Sequence, residues 1–158
     1  KKMLLGFRNC RGILYPRNNK FVNHTSFMDS KYCDTIQQNA DYLREELKSF
    51  HKNIWIKSHP RNKDEMDYKN CQVRAHRNLT KAGIDADTVS CVIFDTPGSS
   101  LEFYCIQRNI KYVYFFNPSW FDLSDYAKEH CSNKLSLGEI FYGEDSIVRL
   151  FNYLENIK

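Results

Sequence analysis

Apolar residues in this chain alternate between helical stripes and short runs. From Asp34 onward, apolar positions recur at steps of four, three, four and three, the spacing of one face of a helix; they are Ile36, Ala40, Leu43, Leu47 and Phe50. Asp34 is predicted to cap this helix by accepting the N–H of Gln37. A second stripe predicts a strongly amphipathic last helix; its apolar positions are Ile147, Leu150, Phe151, Leu154 and Ile157.

Short apolar runs between the helices predict strands. Val89 to Phe94 is apolar apart from one serine and rich in β-branched residues, which is typical of a central parallel strand buried on both faces. Shorter strands are predicted at 12–15, 54–56, 71–73, 112–116 and 140–142, and further helices at 79–83, 99–108 and 123–130. Strands and helices alternate throughout, so the predicted fold class is α/β: a Rossmann-like, doubly wound parallel sheet with helices on both faces.

The length of 158 residues corresponds to about one domain. The basic stretch 1–11 is predicted to be a linker or the remnant of a preceding domain, and 12–158 a nucleotide-binding domain. The chain opens on Lys1 rather than methionine, which is compatible with an excised piece of a longer protein. With no apolar stretch long enough for a membrane helix and no secretory leader, a soluble chain without a transmembrane segment is expected.

Composition narrows the function classes. The chain is 42% hydrophobic and 15% aromatic, which argues against intrinsic disorder. The net charge of +4 suits an anionic small ligand better than a nucleic-acid groove, so no nucleic-acid partner is predicted. The cysteines are widely spaced and form no C-x-x-C motif; they are Cys10, Cys33, Cys71, Cys91, Cys105 and Cys131. Their even number permits disulfides, but Cys91 and Cys105 lie in apolar segments, so free thiols in a reducing cytosol are predicted.

Two loops carry candidate chemistry, because ligands of parallel sheets bind beyond the carboxyl ends of the strands. In the first, His59 follows a strand and Pro60 restricts its backbone. The basic residues around this histidine suit a phosphate; they are Lys57, Arg61 and Lys63. A histidinium there could donate a proton to a leaving phosphate. The alternative is an ordinary surface turn with solvated charges.

The second loop runs from Asp95 to Ser100, between the buried strand and a helix start. Gly98 permits close backbone approach, and the free N–H groups of the first helical turn, with the hydroxyls of Ser99 and Ser100, converge as donors. This is a phosphate cradle without the P-loop or dinucleotide fingerprint. The alternative is that Ser99 is an ordinary helix cap, with Glu102 completing a capping box.

Aromatic residues after position 111 are best explained by core packing. Trp120 and Phe121 lie beyond the strand at 112–116 and are better candidates than the rest for stacking on a base or ribose. Glu102 could likewise reach a ribose, although the cap is the preferred role. The acidic residues Asp64, Glu65 and Asp67 give no defined metal-site spacing and are read as a solvated face.

Two segments together resemble a known motif pair. The segment Ile54-Trp55-Ile56-Lys57-Ser58-His59-Pro60-Arg61, followed by Val92-Ile93-Phe94-Asp95-Thr96-Pro97-Gly98-Ser99-Ser100-Leu101-Glu102, resembles the His-Pro and Ser-Ser motifs of bacterial GT-B surface-polysaccharide transferases. That group uses cytidine-activated donors and includes sialyltransferases, capsule Kdo transferases and CDP-glycerol transferases. The resemblance covers most of the chain from Gly12 to Leu154.

The resemblance implies the donor-binding domain of a metal-independent glycosyltransferase. A sugar such as sialic acid, another nonulosonate or Kdo would move from a CMP-activated donor to a surface glycan of capsule or lipopolysaccharide. His59 would contact the donor phosphate and act as general acid toward the departing CMP, with Ser99 and Ser100 holding the same phosphate. The implied substrate-binding set is completed by Pro60, Arg61, Thr96, Pro97 and Gly98. No metal or cofactor is expected, because the helix dipole, the histidine and the hydroxyls replace one.

The same resemblance implies partners outside this chain. A glycan acceptor and an N-terminal acceptor domain are expected, and that domain would supply the catalytic base, so this piece could bind donor without turning it over. The expected location is the cytoplasm, with a peripheral position at the inner face of the membrane left open. The alternatives are a CDP-polyol phosphotransferase and a non-catalytic nucleotide-binding or interaction domain.

Overall fold

The computed structural model describes residues 2–8, 27–28, 32–50, 54–58, 73–76, 89–98 and 100–157. These residues form a mixed α/β structure. Its elements, in chain order, are β1 (Lys2–Arg8), β2 (Phe27–Met28), α1 (Cys33–Leu47), β3 (Ile54–Ser58), β4 (Val73–His76), β5 (Val89–Phe94), α2 (Ser100–Gln107), β6 (Tyr112–Phe115), a 3₁₀ turn (Pro118–Trp120), β7 (Phe121–Asp122), α3 (Asp125–Ser136), β8 (Ile140–Phe141) and α4 (Ser146–Glu155).

One parallel sheet organises the domain. Its strands lie in the order β4-β3-β1-β5-β6-β8, and every neighbouring pair is parallel. From β1 the chain moves outward to β3 and β4, and then crosses to β5, β6 and β8 on the other side. A separate antiparallel pair joins β2 and β7. This architecture is compatible with a Rossmann-like fold.

Apolar side chains lie on both faces of β5 and β6, because successive residues of a strand point to opposite sides. On one face the strand residues Val92, Phe94, Tyr112 and Tyr114 share a core with Cys105 of α2 and Cys131 of α3. On the other, Cys91, Ile93, Val113 and Phe115 share a core with Leu150 and Leu154 of α4. Helix α1 contributes to both clusters, with Ile36 and Ala40 in the first and Leu43 and Leu47 in the second.

Both long helical stripes form helices, as predicted. The predicted cap of α1, however, is wrong. The helix begins at Cys33, so Asp34 lies inside the first turn and the N-cap residue is Tyr32, which makes no side-chain capping bond. From this position the Asp34 carboxylate can interact favourably with the positive end of the helix dipole, but it does not occupy the capping position.

The expected linker also needs correction. Within 1–11, Lys2–Arg8 forms β1, which pairs with β3 on one side and β5 on the other. A linker was predicted because basic residues lie at both ends of the stretch 1–11. The apolar residues between them, Met3, Leu4 and Leu5, form the strand. A stretch assigned to a linker therefore occupies the middle of the sheet.

Most of the other predicted elements that fall on described residues are present, with shifted boundaries. Strands are present at β3, β5, β6 and β8 as predicted, and the predicted strand at 71–73 corresponds to β4 at Val73–His76. Helix α3 extends to Ser136, six residues beyond its predicted end, and Ser124 caps it by accepting the N–H of Ala127 at 3.2 Å. The predicted strand at 12–15 and helix at 79–83 lie outside the described residues.

Among the cysteines whose side chains the structure describes, three free thiols lie in the two cores. Burial raises the pKa of Cys91 to about 12, of Cys105 to about 12 and of Cys131 to about 11. For Cys105 and Cys131 the nearby Glu102 carboxylate raises the pKa further. Each thiol therefore stays protonated in the folded state at a pH at which the unfolded chain releases its proton.

The free energy of unfolding is expected to fall as the pH rises above 9. Between the unfolded and folded pKa values the folded state binds more protons, so raising the pH favours unfolding. For the fully buried Cys91 this costs up to about 1.4 kcal/mol per pH unit. Urea denaturation at pH 8, 9, 10 and 11 measures the decline, and Cys91→Ala should make it shallower. A midpoint that stays constant over this range would contradict the burial of these thiols.

Candidate functional site

The exits of β3 and β5 lie at the same edge of the sheet. The two strands flank β1 and run parallel to it. Leu5 pairs with Ile93, and three residues further along β1 Arg8 pairs with Ser58, the last residue of β3. Neighbouring strands lie about 4.8 Å apart, so the exits of β3 and β5 are separated by about 10 Å across β1. The sheet thus places the end of β3 and the end of β5 side by side.

The turn after β5 leads directly into α2. Asp95 and Thr96 are buried, with 1% and 2% exposure, whereas Pro97 and Gly98 are half-buried. Gly98 has φ of 83°, in the left-handed region that glycine adopts without strain. This conformation turns the chain toward α2, which begins at Ser100.

The start of α2 offers hydrogen-bond donors at this edge. The first four backbone N–H groups of a helix have no partner within it, and the helix dipole places partial positive charge there. Together these features make a helix start after a glycine turn suited to an anion such as a phosphate. The glycine turn and the helix start were both predicted from the sequence.

The predicted site residues divide into two groups. Thr96, Pro97 and Gly98 form the turn, and Ser100 is the first residue of α2. The other four lie outside the described residues; they are His59, Pro60, Arg61 and Ser99. The structure therefore places the strand end that immediately precedes His59, and both neighbours of Ser99, at one edge.

Next along this edge, the segment after β6 is held by side-chain amides. Asn39 of α1 donates its Nδ2–H to the Phe115 carbonyl at 2.8 Å, and Asn117 Oδ1 accepts the N–H of Ser119 at 3.0 Å. Phe121 is buried in the core, where its ring lies edge-on to Phe116 with centroids 5.2 Å apart. Trp120 is partly buried against the same core. Core packing is thus the role that the structure gives to Phe121.

A polar network that joins α2, β6 and α3 was not predicted from the sequence. Its centre is Glu102 in the first turn of α2, whose side chain is 12% exposed. The Tyr114 hydroxyl donates to Glu102 Oε1, and His130 Nε2 of α3 lies 3.2 Å from the same oxygen. The Tyr112 hydroxyl lies 3.1 Å from His130 Nε2. The one available indication was the pair of tyrosines two residues apart on a buried strand, since a buried hydroxyl needs a partner.

Electrostatics keep the two phenols protonated. Burial raises the pKa of Tyr112 and of Tyr114 well above the usual range, and the nearby Glu102 carboxylate raises both further. As protonated groups they can donate hydrogen bonds to a carboxylate, which only accepts. The Glu102 side chain therefore connects α2 to β6 and α3. These contacts, with Tyr114 and His130, differ from the two roles predicted for Glu102 from the sequence, a capping box and a contact with a ribose.

Lys134 forms a second polar contact on the same face. Its Nζ donates to the Tyr112 carbonyl at 2.8 Å, lies 3.6 Å from the centroid of the Tyr112 ring and is 3.5 Å from Glu139 Oε2. Burial lowers the pKa of Lys134, while Glu139 acts to raise it. This contact ties the end of α3 to the start of β6 and is structural.

Among the side chains that the structure describes, no group of three or more His, Cys, Asp or Glu residues is arranged to hold a metal ion. None of the described helices combines the length and apolar character needed to cross a bilayer. Comparison with protein-family models, with curated proteins and with solved structures finds no match to this chain. The functional argument therefore rests on the residues and geometry of the sheet edge.

Proposed function

We propose that this chain is a doubly wound, Rossmann-like domain that binds the donor nucleotide of a GT-B glycosyltransferase. Counted in chain order, the six strands of the main sheet lie in the order 3-2-1-4-5-6. This is the strand order of dinucleotide-binding domains. Helices packed against both faces of the sheet support the same interpretation.

The observation that carries the proposal is the position of the turn at 95–98. In open α/β sheets ligands bind at the carboxyl edge where the strand order reverses. Here the chain leaves β1 toward β3 and later crosses to β5, so the reversal lies between β1 and β5. The Gly98 turn and the start of α2 stand at that point, and β3 ends one strand away.

The proposed reaction transfers a sugar from a CMP-activated donor to a glycan acceptor. The bond between the sugar and the CMP phosphate oxygen breaks, and the acceptor hydroxyl forms the new bond and gives its proton to a base. His59 donates a proton to the departing phosphate oxygen. The donors at the start of α2, with the hydroxyls of Ser99 and Ser100, stabilise the negative charge that develops there. The base is proposed to come from a separate acceptor domain.

Calorimetric titration with CMP, CDP and UDP tests this proposal. The chain is expected to bind CMP with micromolar affinity, and His59→Ala or the double variant Ser99→Ala/Ser100→Ala should weaken binding at least tenfold, because each removes donors to the phosphate. The double variant Ser132→Ala/Ser136→Ala is the matched control, since both serines are exposed on α3. Its affinity should equal that of the wild type.

Absence of binding to any of the three nucleotides by the folded wild-type chain would contradict the proposal and favour an interaction module.

Product analysis with the full-length protein then separates the two cytidine-dependent reactions. A glycosylated acceptor with released CMP supports sugar transfer. A polyol-phosphate product with released CMP would refute it and identify a CDP-polyol phosphotransferase.

A further inference from the structure

The Glu102 side chain links three elements, which are α2, β6 and α3. Its Oε1 accepts the Tyr114 hydroxyl of β6 and lies 3.2 Å from His130 Nε2 of α3. Tyr114 is the register partner of Phe94, the last residue of β5. The link therefore lies beside the strand end at which the turn into α2 begins.

The Tyr114 hydroxyl is the donor in its contact with the Glu102 carboxylate. A carboxylate oxygen only accepts, so the contact with His130 is a hydrogen bond in the tautomer that carries its proton on Nε2. Hydrogen bonds to an ionised acceptor are shorter and roughly twice as strong as neutral ones. At 12% exposure, Glu102 is also largely shielded from competing water.

We propose that Glu102 is a positioning residue that holds the first turn of α2, and with it the backbone donors, at the phosphate site. The helix has eight residues, and helices this short do not persist in water without tertiary contacts. The bonds of Glu102 provide such contacts in the first turn, two residues after Ser100. The nucleotide part of this inference rests on the proposed function, whereas the anchoring of α2 does not.

Hydrogen exchange of the ligand-free protein tests the anchoring. The amides of 104–107 bond to the carbonyls of the first turn, so their protection reports whether that turn is formed. Glu102→Ala is expected to speed their exchange at least tenfold while the amides of α4 keep their rate. Glu102→Gln should restore most of the protection, because its amide oxygen can still accept the Tyr114 hydroxyl. Glu129→Ala, an exposed change on α3, is the control and should match the wild type.

Two outcomes would overturn the anchoring: unchanged exchange at 104–107 in Glu102→Ala, or an equal acceleration in α2 and α4, which is the pattern of general destabilisation. Tyr114→Phe supplies a second variant, because it removes the donated O–H and keeps the ring; it should reproduce the local acceleration.

CMP affinity, measured on the same variants, tests the role at the phosphate site. Glu102→Ala should weaken CMP binding about tenfold, with Glu102→Gln within about threefold of the wild type. A wild type that binds no CMP would refute the proposed function while the exchange result still decides the anchoring. CMP binding that is unaffected in Glu102→Ala, despite faster exchange, would overturn the role at the phosphate site alone.

Discussion

Replacing Leu150 with alanine is expected to lower the free energy of unfolding by about 2–5 kcal/mol. Leu150 of α4 is fully buried and belongs to the core that contains Ile93, Val113 and Phe115 of the sheet. Truncation removes buried apolar surface and leaves a cavity that the surrounding strands only partly fill. Because the free energy of unfolding of a domain is only about 5–15 kcal/mol, this single change removes a large part of it.

Val148→Ala is the matched control for this prediction. Val148 lies two residues earlier on the same helix and is 56% exposed, so its truncation should change the free energy of unfolding by no more than about 0.5 kcal/mol. Urea denaturation followed by far-ultraviolet circular dichroism measures both variants. Equal losses from the two changes would contradict the packing of α4 against the sheet.

Lys134→Met is expected to lower the free energy of unfolding by about 3 kcal/mol. The change removes the donor to the Tyr112 carbonyl and leaves the Glu139 carboxylate, 15% exposed, without its cation. An unpaired buried charge costs more than the pair itself contributes, and the buried carbonyl loses its hydrogen bond. Lys128→Met, on an exposed position of the same helix, should have an effect near zero.

The double variant Lys134→Met/Glu139→Gln completes a thermodynamic cycle. Neutralising Glu139 removes the uncompensated charge, so the double variant should be more stable than Lys134→Met. The coupling energy from the four urea titrations measures the interaction of the two side chains. Strictly additive losses would show that the 3.5 Å contact between them contributes nothing to stability.

Elements with a regular apolar pattern were predictable from the sequence, because that pattern reflects burial against a neighbouring layer. The stripe along α4 marks its buried face, and the continuous run at Val89 to Phe94 marks a strand buried on both sides. β1 was missed for the opposite reason. Its central position comes from pairing with β3 and β5, which are distant in sequence, and nothing within Lys2–Arg8 specifies those partners.

The candidate site also combines features that the local sequence predicts with one that it does not. The turn at 95–98 and the helix start after it follow local rules, so the sequence was sufficient to predict them. The role of Glu102 was not predictable in this way. A capping box is a rule about neighbours within four residues, whereas Tyr114 and His130 are separated from Glu102 by 12 and 28 positions. Tertiary packing decided which hydrogen-bond donors the carboxylate met.

On its own, the amino-acid sequence determined the helices α1 and α4 and the buried strand β5, and it determined that a glycine turn and a helix start follow that strand. Hydrophobic periodicity and backbone preferences act over a few residues, so these features can be derived from local sequence. Only the tertiary structure decided that β1 separates β3 from β5, that their exits lie at one edge, and that Glu102 connects α2 with β6 and α3. Strand pairing and buried hydrogen bonds join residues that are far apart along the chain, and their partners are chosen by the packing of the whole domain.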